Sequence, residues 1–162
     1  ARGPHALAVP FPAQGHVIPL MELVQHFVKK GFKVTFVNTD FNHKRVMNAL
    51  LEKDRNVGDM IHMVSLPDGF DPGEDRNDMG KLSKAISRVM PQKLEKLIKN
   101  INATDNNKIT CLVADENMGW ALKVAEKMGI RRVAFWPASA AQLGSIFSIP
   151  KLIEDGIINN DG

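Results

Sequence analysis

The chain has 162 residues, 44% of them hydrophobic and 24% charged, with a formal net charge of +3 and a single cysteine. That balance excludes a disordered or fibrous chain, and the length suits one globular domain able to bury a core without disulfide or metal staples. Lys and Arg are scattered among acidic residues instead of forming a stripe interleaved with aromatics, which argues against a nucleic-acid partner. No apolar run is long enough to insert into a membrane.

His5 to Pro10 is a short apolar run closed by Pro and Gly signals, which predicts a buried strand and then a tight loop, FPAQG. From His16 the residues Ile18, Leu20, Met21, Leu23, Val24, Phe27 and Val28 keep helical spacing as far as Lys29-Lys30-Gly31, a basic last turn with a C-terminal glycine. Lys33 to Asn38 is β-branched and aromatic, and Thr39-Asp40 can cap a helix running through Leu51. Ile61 to Leu66 supplies a third strand before PDGFDPGEDRND, a long exposed loop crowded with Pro, Gly and Asp.

A helix near Met79 to Ile101 follows, its basic residues between Lys81 and Lys99 forming the wet side of an amphipathic pattern. Then come a strand at Ile109 to Ala114, a helix from about Asn117 to Met128, a strand at Arg132 to Trp136 and a helical stretch after Ser139. Unbroken alternation, with strands apolar on both faces, predicts an α/β domain: a Rossmann-like, doubly wound parallel sheet covered by helices.

Cys111, in the run ITCLVAD, reads as a small buried thiol in a strand. With no disulfide framework and no signal-peptide pattern in ARGPHALAVPFP, the expected compartment is the reducing cytoplasm. The sequon Asn102-Ala103-Thr104 is then only a polar segment. His5, His26, His43 and His62 show no metal-ligand spacing with one another or with Cys111, so no metal site is expected and they read as surface or strand residues.

In an open parallel sheet, ligands bind beyond the carboxyl ends of the strands, where strand order reverses. With the order 3-2-1-4-5, the loop PAQGH after strand one and the segment VADEN ending strand four lie side by side, making His16 and Asp115 neighbours. A carboxylate that accepts the Nδ1 proton of an imidazole orients the ring and leaves Nε2 to take a proton from a substrate hydroxyl. The plainer reading is a polar cap at a helix start and an Asp capping the next helix. FPAQGHVIPL lacks both G-x-G-x-x-G and the phosphate-loop pattern, which disfavours NAD and ATP, while Gly15 permits close approach of a hydroxylated or anionic ligand.

The segments PFPAQGHVIPLMEL, VTFVNTDFNHKR, LPDGF, CLVADENMGWALKVAEKMGI and RRVAFWPASA together resemble the N-terminal domain of plant family 1 UDP-glycosyltransferases, from about Pro4 to the end of the chain. The resemblance implies the N-terminal half of a GT-B architecture. In it this chain, 1–162, is an incomplete acceptor-binding domain, and a C-terminal UDP-sugar-binding domain lies outside it. It further implies His16 as catalytic base and Asp115 as its partner, in an inverting transfer of a sugar, with glucose the commonest, to a hydroxyl of a flavonoid, phenolic or terpenoid acceptor.

The resemblance also implies acceptor contacts from Phe11, Gln14, Met79, Asn117, Met118 and Ile146, in loops and helix starts facing the cleft, and donor contacts from Gly15 and Ser139. It implies no cofactor or metal beyond the UDP-sugar co-substrate, and no membrane. The family's hydroxyl-bearing residue after the FW-like dipeptide is here Pro137, so Ser139 either reaches the donor or is only an N-cap. The glycine- and histidine-rich donor box is not in the chain, so the fragment alone is expected to be inactive. Two competing readings are a small-molecule binding module without chemistry and another nucleotide-dependent enzyme on the same fold.

Overall fold

A computed structural model describes residues 3–43, 46–47, 61–104, 106–159 and 161. Five strands form one sheet in the order β3-β2-β1-β4-β5: β1 His5–Val9, β2 Lys33–Thr39, β3 Ile61–Leu66, β4 Cys111–Asp115 and β5 Arg131–Phe135. All four pairings are parallel. The described helices are α1 Gln14–Lys29, α2 Met79–Thr104, α3 Gly119–Lys127 and α4 Ala140–Glu154, with a tight turn of helix at Glu116–Met118. A helical segment also begins at Asp40, although the helix expected through Leu51 lies outside the described residues beyond position 47.

Period-two alternation sends side chains to two cores. On one face Leu7, Val9, Val37, Leu112 and Ala114 meet Leu82, Ile86, Met90, Leu94 and Ile98 of α2 and Ala121, Val124 and Ala125 of α3. On the other, Ala8, Val34, Phe36 and Val113 meet Val17, Leu20, Met21 and Val24 of α1. The helix stripes follow the three-to-four-residue spacing that made them legible as amphipathic.

Several expectations need correction. α1 starts at Gln14, two residues before His16, because the extended backbone of Ala13 already turns the chain into the helix. The element expected from Asn117 to Met128 is a tight turn followed by a shorter helix, and β4 starts at Cys111 and not Ile109. Strand β5 is exposed at four of its five positions, contrary to the expectation of strands buried on both faces. It is an edge strand, and α4, which follows it, buries none of its residues among those described. Cys111 is only partly buried, and burial pushes its thiol pKa up, away from the reactive thiolate.

Candidate active site

Parallel pairing of Val9 with Ala114 sets the carboxyl ends of β1 and β4 beside each other. The chain leaves β1 through Pro10 and Pro12, and the first turn of α1 then carries His16 back over the end of β4. His16 Nδ1 lies 2.8 Å from Asp115 Oδ2. The carboxylate is fully buried, and its second oxygen accepts the Asn117 backbone N–H at 3.0 Å, capping the turn at Glu116–Met118.

When the imidazole is neutral and donates from Nδ1 to this carboxylate, Nε2 carries the lone pair. No described residue hydrogen-bonds Nε2, and the ring keeps 26% of its side-chain surface open. The Phe11 ring stands edge-on to the imidazole, centroids 5.3 Å apart, and limits its rotation. The site therefore holds an oriented, partly exposed imidazole whose Nε2 has no partner among the described residues.

Glu116 completes the immediate surroundings. Burial raises its carboxyl pKa and the Asp115 charge adds to that rise, while His16 opposes both. His16, Asp115 and Glu116 bring potential metal-donor atoms within 4.8 Å of one another. Of these atoms, His16 Nδ1 and Asp115 Oδ2 already bond each other.

Beside the PAQGH loop opens a cavity of about 720 Å³. One side of α1 lines it through Gln14, Val17, Ile18, Met21, Glu22 and Gln25, while Phe41, Asp68, Arg76 and Met79 stand among the residues opposite. At 100° per residue those α1 positions share one side of the helix, and His16 projects from another. His16 accordingly does not line the cavity; it sits past the same first turn that Gln14 contributes to the cavity's edge.

The remaining residues anticipated from sequence separate into groups. Gln14 and Met79 line the cavity. Asn117 is exposed next to the pair, and Ile146 is exposed on α4, away from the cavity lining. Phe11 is buried and serves the site through His16. Met118 is 1% exposed and belongs to the core, which corrects the expectation that it faces the cleft. A Cβ built at Gly15 meets nothing within 4 Å, so no described neighbour demands glycine there. The Ser139 side chain accepts the Gln142 N–H at 3.2 Å and caps α4, which is the plainer of its two uses.

Sequence reasoning missed the groups that shape the cavity opposite α1. Arg76 Nε donates to Asp68 Oδ2 at 2.7 Å, and its guanidinium lies 4.7 Å from the Phe41 ring centroid and 5.2 Å from that of Phe70. The available signal was an arginine in an otherwise acidic loop holding an aromatic. It was overlooked because Phe41 is remote in sequence. His5, read as a surface or strand residue, is wholly buried in β1, with its ring nitrogens at 2.7 Å from the Asn107 carbonyl and 2.9 Å from Thr35 Oγ1.

No family model matches the chain. Among curated proteins it is similar to UDP-glycosyltransferase 83A1 of Arabidopsis thaliana, 48% identical across 98% of this chain and 35% of that protein. It is also similar to (R)-mandelonitrile beta-glucosyltransferase of Prunus dulcis, 36% identical across 95% of this chain and 32% of that protein. The chain thus spans about a third of the length of these relatives. Among solved structures, Os79 from O. sativa in complex with U2F and trichothecene superposes with a TM-score of 0.68 at 26% identity, covering 84% of this chain and 30% of that one. Arabidopsis thaliana UGT89C1 complexed with UDP-L-rhamnose gives 0.71 at 22% identity, covering 86% and 37%, a likeness of fold.

Proposed function

Because this chain belongs to the plant UDP-glycosyltransferases, matching their N-terminal part, we propose that it is the acceptor-binding portion of an enzyme that moves a sugar from a UDP-sugar to a hydroxyl of a small, largely apolar acceptor. In this reading residues 1–162 are one incomplete domain of a GT-B protein, and the donor's nucleotide is held by a C-terminal domain outside this chain. The apolar side chains left exposed by β5 and α4 are then surface for the rest of that protein to cover. Cytoplasm is the compartment this reading favours.

The observation that carries it is the 2.8 Å contact between His16 Nδ1 and Asp115, with Nε2 unpartnered among the described residues. His16 Nε2 takes the proton of the acceptor hydroxyl as its oxygen attacks the anomeric carbon. The bond from that carbon to the UDP oxygen breaks on the opposite face, so UDP leaves and the configuration inverts. Asp115 stays ionised, holding the tautomer and stabilising the imidazolium that forms. The mechanism calls for neither a protein nucleophile nor a metal ion.

The acceptor lies across the carboxyl end of the sheet, its body in the cavity lined by Gln14 and Met79 and its reacting hydroxyl extended past the first turn of α1 to His16. The cavity volume of about 720 Å³ falls within the size range of small-molecule pockets and suits a phenolic or terpenoid skeleton. In this reading Gly15 meets the donor on this side, Ser139 does so only if its hydroxyl leaves the α4 cap, and glucose is the sugar proposed.

The test is to incubate the full-length protein with UDP-sugars and a panel of phenolic and terpenoid alcohols, following UDP release and the mass gain of each acceptor. Glycoside formation with stoichiometric UDP supports the reading. Saturable acceptor binding with no UDP release would instead favour the binding module.

A further inference from the structure

The loop 67–78 between β3 and α2 is long, rich in glycine and acidic residues, and forms part of the cavity wall. Such a segment normally samples many conformations. Here it is fastened at two points. At its start, Gly69 has φ +87°, and a Cβ there would come within 2.8 Å of Val89 Cγ2, so the loop backbone presses directly on α2. At its far end stands Arg76, whose side chain is only 14% exposed although its neighbours in the loop are open to solvent.

All three guanidinium nitrogens of Arg76 donate within the loop. Nε and Nη2 reach the two oxygens of Asp68 at 2.7 and 3.2 Å, and Nη1 reaches the Glu74 carbonyl at 3.1 Å. Asp68 also accepts the Phe70 N–H at 3.0 Å. The guanidinium carbon also lies over the rings of Phe41 and Phe70, 4.7 and 5.2 Å from their centroids. Phe41 belongs to the segment after β2, and its neighbour Asn42 donates through Nδ2 to the Pro12 carbonyl at 2.8 Å, in the loop that leads to His16. Arg76 thus joins the 67–78 loop to the segment after β2, and Asn42 joins that segment to the loop leading to His16.

We propose that Arg76 is a positioning residue that locks the 67–78 loop as a fixed wall of the cavity and so sets which acceptors the cavity admits. The proposal rests on the reading of this cavity as the acceptor pocket. Arginine is required because only a planar fork can hold both Asp68 oxygens while keeping its cationic carbon over two rings; a lysine supplies the charge but neither geometry. Freed from the latch, the loop presents a wall of variable shape, and acceptors that reach it lose a pre-organised contact.

The test compares wild type, Arg76→Lys and Arg76→Ala in the full-length protein by three readouts. These are hydrogen exchange at the Phe70 amide, calorimetric Kd for one small and one bulky acceptor, and kcat and KM for the same pair. Both variants are expected to speed Phe70 exchange by roughly ten-fold or more and to weaken the bulky acceptor on the order of ten-fold in Kd and KM. The bulky acceptor should lose more than the small one, so the ratio of bulky to small Kd and KM rises. Failure of lysine to rescue separates fork-and-stack geometry from charge.

Unchanged exchange would overturn the latch. Faster exchange with an unchanged ratio of bulky to small Kd would overturn the specificity role. If the protein binds both acceptors but transfers sugar to neither, the functional reading fails while the Kd ratio still decides this one.

Discussion

At the scale of single residues, the site depends on a buried carboxylate whose two oxygens are both committed. Asp115 receives His16 on one side and the Asn117 amide on the other. Asp115→Asn keeps the shape, but its amide nitrogen cannot accept the Nδ1 proton, so the tautomer that leaves Nε2 free is no longer enforced. The expected outcome in the full-length protein is a fall in kcat on the order of a hundred-fold with acceptor KM little changed, read from initial rates of UDP release. Asp115→Ala should lose activity as well and should also cost about 1 kcal/mol of stability through the lost cap, measured by urea unfolding.

The juxtaposition of these two residues was legible beforehand because strand order alone decides it. Once the alternation of elements predicts the order 3-2-1-4-5, the ends of β1 and β4 must adjoin, whatever side chains they carry. What could not be read at this scale was depth. Met118 follows a strand end as a loop residue would, yet the tight turn capped by Asp115 rotates it into the core. Pattern reasoning sees the turn residue and not the rotation.

At the scale of elements, α2 supplies the largest apolar stripe, and Leu94 is wholly buried within it. Leu94→Ala should destabilise the fold by roughly 2–5 kcal/mol, depending on how far the sheet and α3 collapse into the space, measured as a shift of the urea midpoint at unchanged slope.

The loop latch makes a separate prediction in pH. Burial works against the Asp68 carboxylate, but the hydrogen bond from Arg76, that from the Phe70 amide and the Arg76 charge together outweigh it and hold its pKa below the ordinary value. A carboxylate with a depressed folded pKa contributes stability that is present above its unfolded pKa and lost as pH falls through the folded one. The difference in thermal midpoint between wild type and Asp68→Asn should therefore be present near neutrality and close in strong acid; a difference independent of pH would contradict the ionic character of the latch.

Elements with strong periodicity, such as α1 and α2, could be read from sequence to within a few residues, since burial and spacing point the same way. The latch could not, because it joins Arg76 to Phe41 across 35 positions and no local pattern marks a cation–aromatic contact of that span.

At the scale of the whole molecule, the sheet is unevenly covered. Its centre is packed on both faces, whereas β5, α4 and the turn after it leave Val133, Ile146, Phe147 and Ile157 exposed, Phe147 at 73% and Ile157 at 68%. Exposed apolar surface of this kind marks a place for further protein to pack. The chain alone should bind a hydrophobic fluorescent dye at this edge, and the full-length protein should not; equal dye binding by both would contradict a covering role for the rest of the protein. Val133, Ala134 and Phe135 read like a buried strand, and the sign of exposure in RRVAF is the pair Arg131 and Arg132, one on each alternating face.

The central claim is that His16, held by Asp115, takes the proton from an acceptor hydroxyl during transfer from a UDP-sugar. It is tested most directly by measuring glycoside formation for wild type and His16→Ala in the full-length protein, with UDP-sugar binding followed in parallel. A loss of about 10² to 10⁴ in kcat/KM with donor affinity unchanged is expected of the variant. A His16→Ala protein that transfers sugar at the wild-type rate would contradict it.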